Sequence, residues 1–322
     1  MASGDPTVSI VPLEPAHVPD AGRIVGLAFA TFLGAEQPET FMEGREFLAS
    51  RLAAYPDGGF AALRDRQLIG SNMLANWGSF GFFGPLTVHP AHWGAGVGKR
   101  LMERTVERFD EWKIKHAALY TFADSAKHHR LYQRFDFWPR FLTVLMTKSL
   151  SDVAGSSRSF TAFRRFSELE ERPRAECLAA ARELCEALLE GLDVSAEIRI
   201  VARAALGESL WLWSDAGLEA FAVCQYGAGS EAAPAACYVK FAAVRPGPEA
   251  ERWFGKLLRA CETLALQAQL SSIDAGMNLE RRQAYRAMLR GGFKVNMYGV
   301  QMFRGNDPAY NREEVYIIDD LR

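Results

Sequence analysis

The sequence lacks an excess of charge of either sign. Its 322 residues include 37 Lys and Arg against 39 Asp and Glu, which gives a formal net charge of -2. Nucleic acids and anionic membrane surfaces attract proteins that carry a strong basic field. We therefore expect neither nucleic acid nor membrane among the partners of this protein.

Long apolar runs are missing as well. No segment approaches the roughly eighteen uninterrupted apolar residues of a membrane span, and no basic stretch followed by an apolar one stands at the N-terminus. We therefore expect a cytoplasmic location.

Metal-binding patterns are also absent. The five cysteines form no Cys-x-x-Cys pair, and the adjacent His128 and His129 would point about 100° apart on a helix, unlike an i, i+4 ligand pair. The sequence thus predicts no metal site.

What the sequence does contain is an internal repeat. Apolar residues make up 49% of the chain, as in globular proteins, and the length suits one large domain or two. One offset, 244 − 88 = 156 residues, aligns several anchors without insertions. The paired anchors are Leu13 and Leu169, Val88 and Val244, Leu101 and Leu257, and Phe137 and Phe293.

The order of predicted elements is similar in the two copies. Strands alternate with helices, and a run of adjacent strands stands in the middle, which predicts an α/β fold with a mixed sheet covered by helices. A polar stretch at 149–159 without periodicity reads as a linker. We therefore predict two tandem domains, residues 1–150 and 160–322.

The most informative segment is a glycine-rich turn. Residues 93–100 read Trp-Gly-Ala-Gly-Val-Gly-Lys-Arg between a strand ending at Val88 and a helix opening at Gly98. Such a turn lets backbone N–H groups converge on a phosphate, and the helix N-terminus adds a positive dipole. The spacing fits neither a Walker loop, which needs Gly at Trp93 and Ser or Thr at Arg100, nor the Rossmann fingerprint.

The turn resembles the acetyl-coenzyme A motif of the GNAT superfamily of N-acetyltransferases, which reads Arg or Gln, two residues, Gly, any residue, then Gly or Ala. Trp93 stands in the Arg/Gln place, so a side chain that commonly supports the loop is lost. Ser125 and the stretch from Leu131 to Phe137 resemble the family's next motif, with Asp136 in place of glycine. The chain is thus similar to a tandem GNAT protein.

The resemblance implies that acetyl-CoA is the co-substrate and that an amine attacks its thioester directly in a ternary complex. Pantetheine would pair with the strand near Leu86 like an added strand, and Gly84-Pro85 predicts the local bulge or splay that this requires. The implied coenzyme-binding residues are Leu86, Thr87, Val88, Trp93, Gly94, Ala95, Gly96, Val97, Gly98, Lys99 and Ser125.

The same resemblance makes Tyr132 the general acid that protonates the departing thiolate. A tyrosine is protonated at neutral pH because its ordinary pKa is near 10. The strand carries no carboxylate, so the general base stays open among His89, Glu36, Glu39 and Asp124, or water held by one of them.

The second copy departs from this pattern. The counterpart of the glycine turn contains Pro246, Pro248, Glu249 and Glu251, and Tyr132 aligns with Met288. Prolines lack an N–H group and glutamates repel an anion. We therefore predict one coenzyme site per chain, in the first copy, and a degenerate second copy that packs against it.

The function indicated is acetylation of a small-molecule amine. A non-catalytic coenzyme A-binding sensor and an acetyltransferase for protein lysines or N-termini remain open alternatives. The sequence also leaves open whether the chain forms a homodimer. Residues 313–322 combine an apolar strand with acidic residues, and we expect them to add an edge strand to the sheet.

Overall fold

The computed structural model describes residues 8–38, 47–151 and 161–322. The first half begins with a strand and two helices and continues with four strands before its glycine-rich turn. Its elements are β1 (Val8–Pro12), α1 (Val18–Leu33), α2 (Phe47–Ala54), β2 (Gly59–Arg64), β3 (Gln67–Trp77), β4 (Phe80–Phe83), β5 (Thr87–Val88), α3 (Val97–Glu111), β6 (His116–Phe122), α4 (Ala126–Gln133) and β7 (Phe137–Ser149).

The second half has a similar order of elements. They are β8 (Arg164–Arg165), α5 (Glu171–Leu188), α6 (Ser195–Arg203), β9 (Gly207–Ser214), β10 (Gly217–Gln225), β11 (Ala236–Val244), α7 (Ala250–Gln267), β12 (Ser272–Asn278), α8 (Arg282–Arg290), β13 (Lys294–Arg304) and β14 (Ile317–Ile318). The expected α/β fold with a mixed sheet is confirmed. Most of the predicted linker lies outside the described residues.

A single mixed sheet runs through both halves in the order β1-β2-β3-β4-β6-β13-β7-β12-β11-β10-β9-β8. The halves exchange their last long strands: β13 pairs with β6 of the first half, while β7 pairs with β12 of the second. Separating the halves would therefore break backbone hydrogen bonds along three strand pairs, including β7 with β13.

The repeat is visible in the strand register. In the first half β4 pairs in parallel with β6, and Phe80 lies opposite His116. In the second half β11 pairs in parallel with β12, and Ala236 lies opposite Ser272. Each of these residues lies 156 positions after its counterpart, so the offset that aligned the sequence also aligns hydrogen-bonded strands.

Helices cover both faces of the sheet. On one face α3 and α4 bury Leu101, Phe109 and Tyr132 against the first half, and α7 and α8 cover the second half. On the other face the halves share a core in which the Trp77 ring lies 4.8 Å from Phe82 and 5.2 Å from Phe241. Within the described part of the chain, no helix is both long and apolar enough to cross a membrane.

Two elements differ from the sequence prediction. The strand predicted at 80–88 is interrupted between β4 and β5, where the chain turns at Gly84-Pro85. Helix α6 was not anticipated, because its nine residues present only a short apolar stripe that includes Ile198 and Val201.

Candidate coenzyme site

The sheet opens in the first half where β4 ends. Pairing between β4 and β6 stops at Phe83 and Leu119. The chain then turns at Gly84-Pro85 and continues as β5, which pairs with β3 through Thr87 and Val88. The splay predicted from Gly84-Pro85 is therefore present. We call the space between β5 and β6 the first-half cleft.

The edge of β5 that faces this cleft carries two backbone N–H groups, and its Val88 carbonyl accepts from the Trp93 indole. The N–H of His89 donates to the carbonyl of Ile69 in β3 at 2.8 Å. Because successive residues of a strand direct their hydrogen-bonding groups to opposite sides, the N–H groups of Leu86 and Val88 point away from β3. An extended ligand in the cleft can pair with this edge.

The glycine turn closes one end of the cleft. Gly94 and Gly96 have φ of 84° and 80°, in the left-handed region that favours glycine. Gly96 is the N-cap of α3, and no side chain caps this end within the described residues. The first N–H groups of α3 therefore remain available to an anion, and the helix dipole favours negative charge there.

The side chain of Trp93 connects the glycine turn to β5. Its indole Nε1 donates to the carbonyl of Val88 at 2.7 Å, so Trp93 supports the loop in place of the Arg or Gln side chain that the motif has lost. The Lys127 ammonium lies 4.5 Å from the centre of the indole ring. Burial, the neighbouring Arg64 cation and His89 lower the pKa of His92 in the same turn. The turn thus lies among cationic groups.

Helices α1 and α4 form the remaining walls of the cleft. Tyr132 and His128 project into it from α4, and two phenylalanines do so from α1. The lining residues are Ala28, Phe29, Phe32, Leu86, Thr87, Val88, His92, Trp93, Gly94, Gly96, Val97, Gly98, Phe122, Lys127, His128, Leu131 and Tyr132. A mostly apolar wall with a few polar groups is typical of sites for organic ligands.

Tyr132 lies at the wall of this cleft beside the core. Its ring packs edge-on against Phe83 at 5.6 Å, and burial raises its pKa. The hydroxyl makes no hydrogen bond to another group in the described part of the chain. Tyr132 is therefore held in its protonated form with its proton available to a ligand.

Two further polar atoms at the cleft are buried and unpaired among the described residues. They are the hydroxyl of Thr87 and Nδ1 of His128. The His128 ring packs against Phe32 at 4.9 Å, and burial, assisted by Lys127 and His129, lowers its pKa. Buried polar atoms normally have partners, so these two indicate a ligand that brings its own donors and acceptors.

The structure brings together most of the residues that the motifs singled out, with three exceptions. Ser125 is the N-cap of α4 and accepts from the His128 N–H. Lys99 forms an ion pair with Glu103 at 2.9 Å. Ala95 donates its N–H to the His92 carbonyl. None of the three is among the lining residues of the cleft.

The candidate general bases do not line the cleft either. His89 caps the short helical turn that follows β5, and Glu36 and Asp124 are exposed loop residues. Glu39 lies outside the described residues. The histidines that do line the cleft are His92 and His128. The lowered pKa of each leaves it neutral near pH 7 and able to accept a proton.

Sequence reasoning missed several wall residues, notably Phe29, Phe32 and Phe122. The i, i+3 spacing of the two phenylalanines on α1 predicts a shared helix face but does not say which surface that face meets. His128 was considered only as a metal ligand. Its position four residues before Tyr132, on the same face of α4, is the signal that could have found it.

In the second half the chain itself occupies the gap between the separated strands, and a cavity lined by Val244, Pro248 and Tyr316 remains beside it. Beyond the β11–β12 pairing, β14 lies antiparallel to β11, with Ala242 opposite Ile318 and Ala243 opposite Ile317. The N–H of Val244 donates to the carbonyl of Tyr316 at 3.1 Å. We call this filled space the second-half cleft. The expectation of an edge strand at 313–322 is wrong, because β14 pairs inside the sheet.

Buried charges hold this insertion in place. Arg281 stands 156 positions after Ser125, is fully buried, and donates to the Ile317 carbonyl at 2.9 Å and to the Asp319 carboxylate at 2.6 Å. At the counterpart of the glycine turn, Glu249 is the N-cap of α7 and Glu251 pairs with Arg290. Acidic side chains thus stand in the segment that corresponds to the glycine turn, at the positions of Trp93 and Ala95.

The comparisons with known proteins agree with this geometry. Residues 22–137 match the sequence model of the acetyltransferase (GNAT) family. A search of curated protein sequences found no match.

Solved structures resemble the whole chain. An inferred acetyltransferase from Pyrococcus horikoshii has a TM-score of 0.69 at 14% identity, over 97% of this chain and 94% of its own. A GCN5-related N-acetyltransferase from Sphaerobacter thermophilus has a TM-score of 0.60 at 14% identity, over 95% and 98%. A tandem GNAT protein from the clavulanic acid biosynthesis pathway has a TM-score of 0.57 at 12% identity, over 94% and 99%. The resemblance stated from the glycine turn is confirmed: residues 22–137 match the GNAT acetyltransferase family, and the whole chain has the fold of tandem GNAT proteins.

Proposed function

We propose that the protein is an N-acetyltransferase that binds acetyl-CoA in its first-half cleft and transfers the acetyl group to the amine of a small molecule in a ternary complex. The observation that carries this proposal is the contrast between equivalent strand edges. The edge at 242–244 pairs with β14, whereas its counterpart 156 residues earlier faces an open cleft. The second half thus supports the proposal with an example of an extended partner on the equivalent edge.

The cleft residues fit the chemistry of the coenzyme. The pyrophosphate would meet the glycine turn and the N-terminus of α3, where N–H groups converge and the helix dipole is positive. The amide groups of pantetheine would meet the edge of β5 and the unpaired polar atoms of Thr87 and His128. The apolar walls at Phe29 and Phe32 would exclude water from the part of pantetheine that lies between its amide groups.

Acetyl-CoA supplies an acetyl group that is activated as a thioester. The N–H group of Leu86 would donate to the thioester carbonyl and stabilise the negative charge that develops on its oxygen. Tyr132, with its raised pKa, would hold a proton for the thiolate until the carbon–sulfur bond breaks. Binding both substrates side by side would supply much of the rate by proximity.

A small-molecule acceptor is proposed rather than a protein. One tandem GNAT protein of the same fold belongs to the biosynthesis of clavulanic acid, which is a small molecule. The acceptor pocket of an enzyme is built from loops that the coenzyme motif does not constrain. The identity of the amine therefore has to be found by experiment.

The test combines binding with turnover. Calorimetry with acetyl-CoA should give one site per chain, and a panel of amines should include at least one that is acetylated with release of coenzyme A. Tyr132→Phe should then lower kcat by about 100-fold while leaving the Kd of acetyl-CoA within about twofold, since a general acid contributes to the transition state and not to binding.

Tyr316→Phe is the matched control, because Tyr316 lies at the second-half cleft and donates to Gln283. It should leave kcat unchanged. Binding without transfer to any amine would favour a coenzyme A sensor, and transfer to peptide amines alone would favour a protein acetyltransferase. A full-rate Tyr132→Phe variant would remove the proton donor from the mechanism.

A further inference from the structure

Arg51 of the first half contacts both the chain turn at Gly84, beside the first-half cleft, and residues of the second half. Arg51 lies on α2, and its Nη1 donates to the carbonyl of Gly84, the residue that follows β4. Its Nε donates to the Glu231 carboxylate at 3.1 Å, and its Nη2 donates to the same carboxylate and to the main-chain carbonyl of Arg322. Every guanidinium nitrogen therefore has a partner.

The anchors of Arg51 belong to the second half and are buried. The side chains of Arg51 and Glu231 are 12% and 7% exposed. Lys240 of β11 donates to Glu231 at 3.0 Å and to the Arg322 carbonyl at 2.9 Å. The N–H of Glu231 donates to the side chain of Gln225 in β10 at 2.9 Å. The Arg51 guanidinium is thus held by groups that are anchored to β10 and β11, and by the segment that follows β14.

Gly84 is the point from which the free edge of β5 departs. Its N–H donates to the Met73 carbonyl of β3 at 2.8 Å, and its carbonyl accepts from Arg51. Gly84 has a φ of 146°, a conformation that few other residues adopt. With both backbone groups bonded, the direction in which residues 85–88 leave β4 depends on the position of Arg51.

We propose that Arg51 is a positioning residue for the coenzyme edge at 86–88, and that the second half supports the first-half site by holding Arg51 through Glu231 and Arg322. This inference rests on the proposed function for its effect on coenzyme binding. The segment 315–322 then has two roles: β14 fills the second-half cleft, and Arg322 braces the first-half cleft.

The experiment uses the full chain and compares Arg51→Lys and Glu231→Gln with Arg203→Lys. Lysine keeps the charge at position 51 but cannot reproduce the forked contacts of a guanidinium. Arg203 is the matched control, because it crosses from α6 to the Ala53 carbonyl of α2 at 3.0 Å and makes no contact with Gly84. Hydrogen exchange of ligand-free protein reports on the segment 86–89 through its amides that are bonded to β3, such as that of His89.

Arg51→Lys should speed amide exchange at 86–89 by about 10-fold relative to amides of β2, and should weaken acetyl-CoA binding by a similar factor. Glu231→Gln should show much of the same effect, and the double variant should be no worse than Arg51→Lys alone, because both changes break one chain of contacts. Arg203→Lys should match the wild type in both readouts.

Unchanged exchange at 86–89 in Arg51→Lys, with Tm equal to that of Arg203→Lys, would overturn the inference. Additive effects of the two substitutions would also overturn it. If Arg51→Lys does not fold, Glu231→Gln alone provides the comparison with Arg203→Lys. A wild-type protein that does not bind acetyl-CoA would count against the proposed function, while the exchange data would still decide the role of Arg51.

Discussion

The two clefts of this molecule have the same strand framework and opposite contents. In both, a parallel strand pair separates after a few residues and leaves a backbone edge without its neighbour. The first half keeps that edge open beside a glycine turn, whereas the second half covers it with β14 and lines the turn with glutamates. The comparison teaches that one strand framework can stay open in one copy and take up a strand of the same chain in the other.

The largest effect is expected at the positions that start α4 and α8. Arg281→Met would leave the buried Asp319 carboxylate without its cation and should lower the free energy of unfolding by about 3–5 kcal/mol. Ser125→Ala, at the equivalent position of the first half, removes only an N-cap and should cost about 1 kcal/mol. Urea unfolding of the two variants measures the difference. Equal effects would mean that the pair does not anchor the filled cleft.

Coenzyme binding provides the next contrast. Gly96→Glu places a negative charge at the start of α3 and a side chain at a left-handed residue, so it should weaken acetyl-CoA binding by at least about 100-fold. Arg252→Glu introduces the same residue 156 positions later, on an exposed side chain, and should leave affinity unchanged. Calorimetry that gave two equal sites, or a loss with Arg252→Glu, would contradict the asymmetry between the clefts.

The contact between the halves should respond to acid. Burial alone would raise the pKa of Glu231, but the Arg51 and Lys240 cations outweigh it and lower the pKa from 4.5 to about 2. Its stabilising contribution is therefore complete above about pH 4.5 and is lost as the pH falls towards 2.

Between pH 5.5 and 3.5 this single group should account for a decrease of about 1 kcal/mol in the free energy of unfolding. Glu231→Gln should remove that part of the pH dependence. Urea titrations at the two pH values measure it, and a variant with the wild-type pH dependence would show that Glu231 does not titrate in this way.

The smallest effect is expected at the indole of the first-half turn. Trp93→Phe keeps the ring but loses the hydrogen bond to Val88, so acetyl-CoA affinity should fall by about fivefold, the equivalent of about 1 kcal/mol. Trp253→Phe is the control in the second half, where Lys256 lies over the indole as Lys127 does over Trp93. An unchanged Kd for Trp93→Phe would mean that the turn does not need this support.

Much of the site could be read from the sequence because its chemistry depends on local backbone geometry. Gly94 and Gly96 were singled out for their conformational freedom, and both adopt left-handed φ. Gly84-Pro85 predicted the splay of the strand, which the end of β4 shows. Tyr132 follows the turn at a spacing that one helix and one strand determine, and it lines the same cleft.

Other features could not be read in this way because they depend on long-range packing. The tail at 313–322 was expected at an edge, since its short apolar run does not say which strand it will join. The hydrogen bond by which Trp93 supports the loop could not be predicted, because the partner of its indole depends on how the loop folds back on β5. Phe29 and Phe32 look like ordinary core residues until α1 packs across the cleft.

The sequence by itself determined the repeat of 156 residues, the mixed α/β fold and the glycine turn, because periodicity, spacing and backbone freedom are local properties of the chain. Only the tertiary structure decided that β7 and β13 change places between the halves and that β14 fills the second-half cleft. The same holds for Arg51, which reaches Gly84 and Glu231 across the interface. Those pairings join residues far apart in the chain, where hydrogen bonding and burial select the partner and no local pattern specifies it.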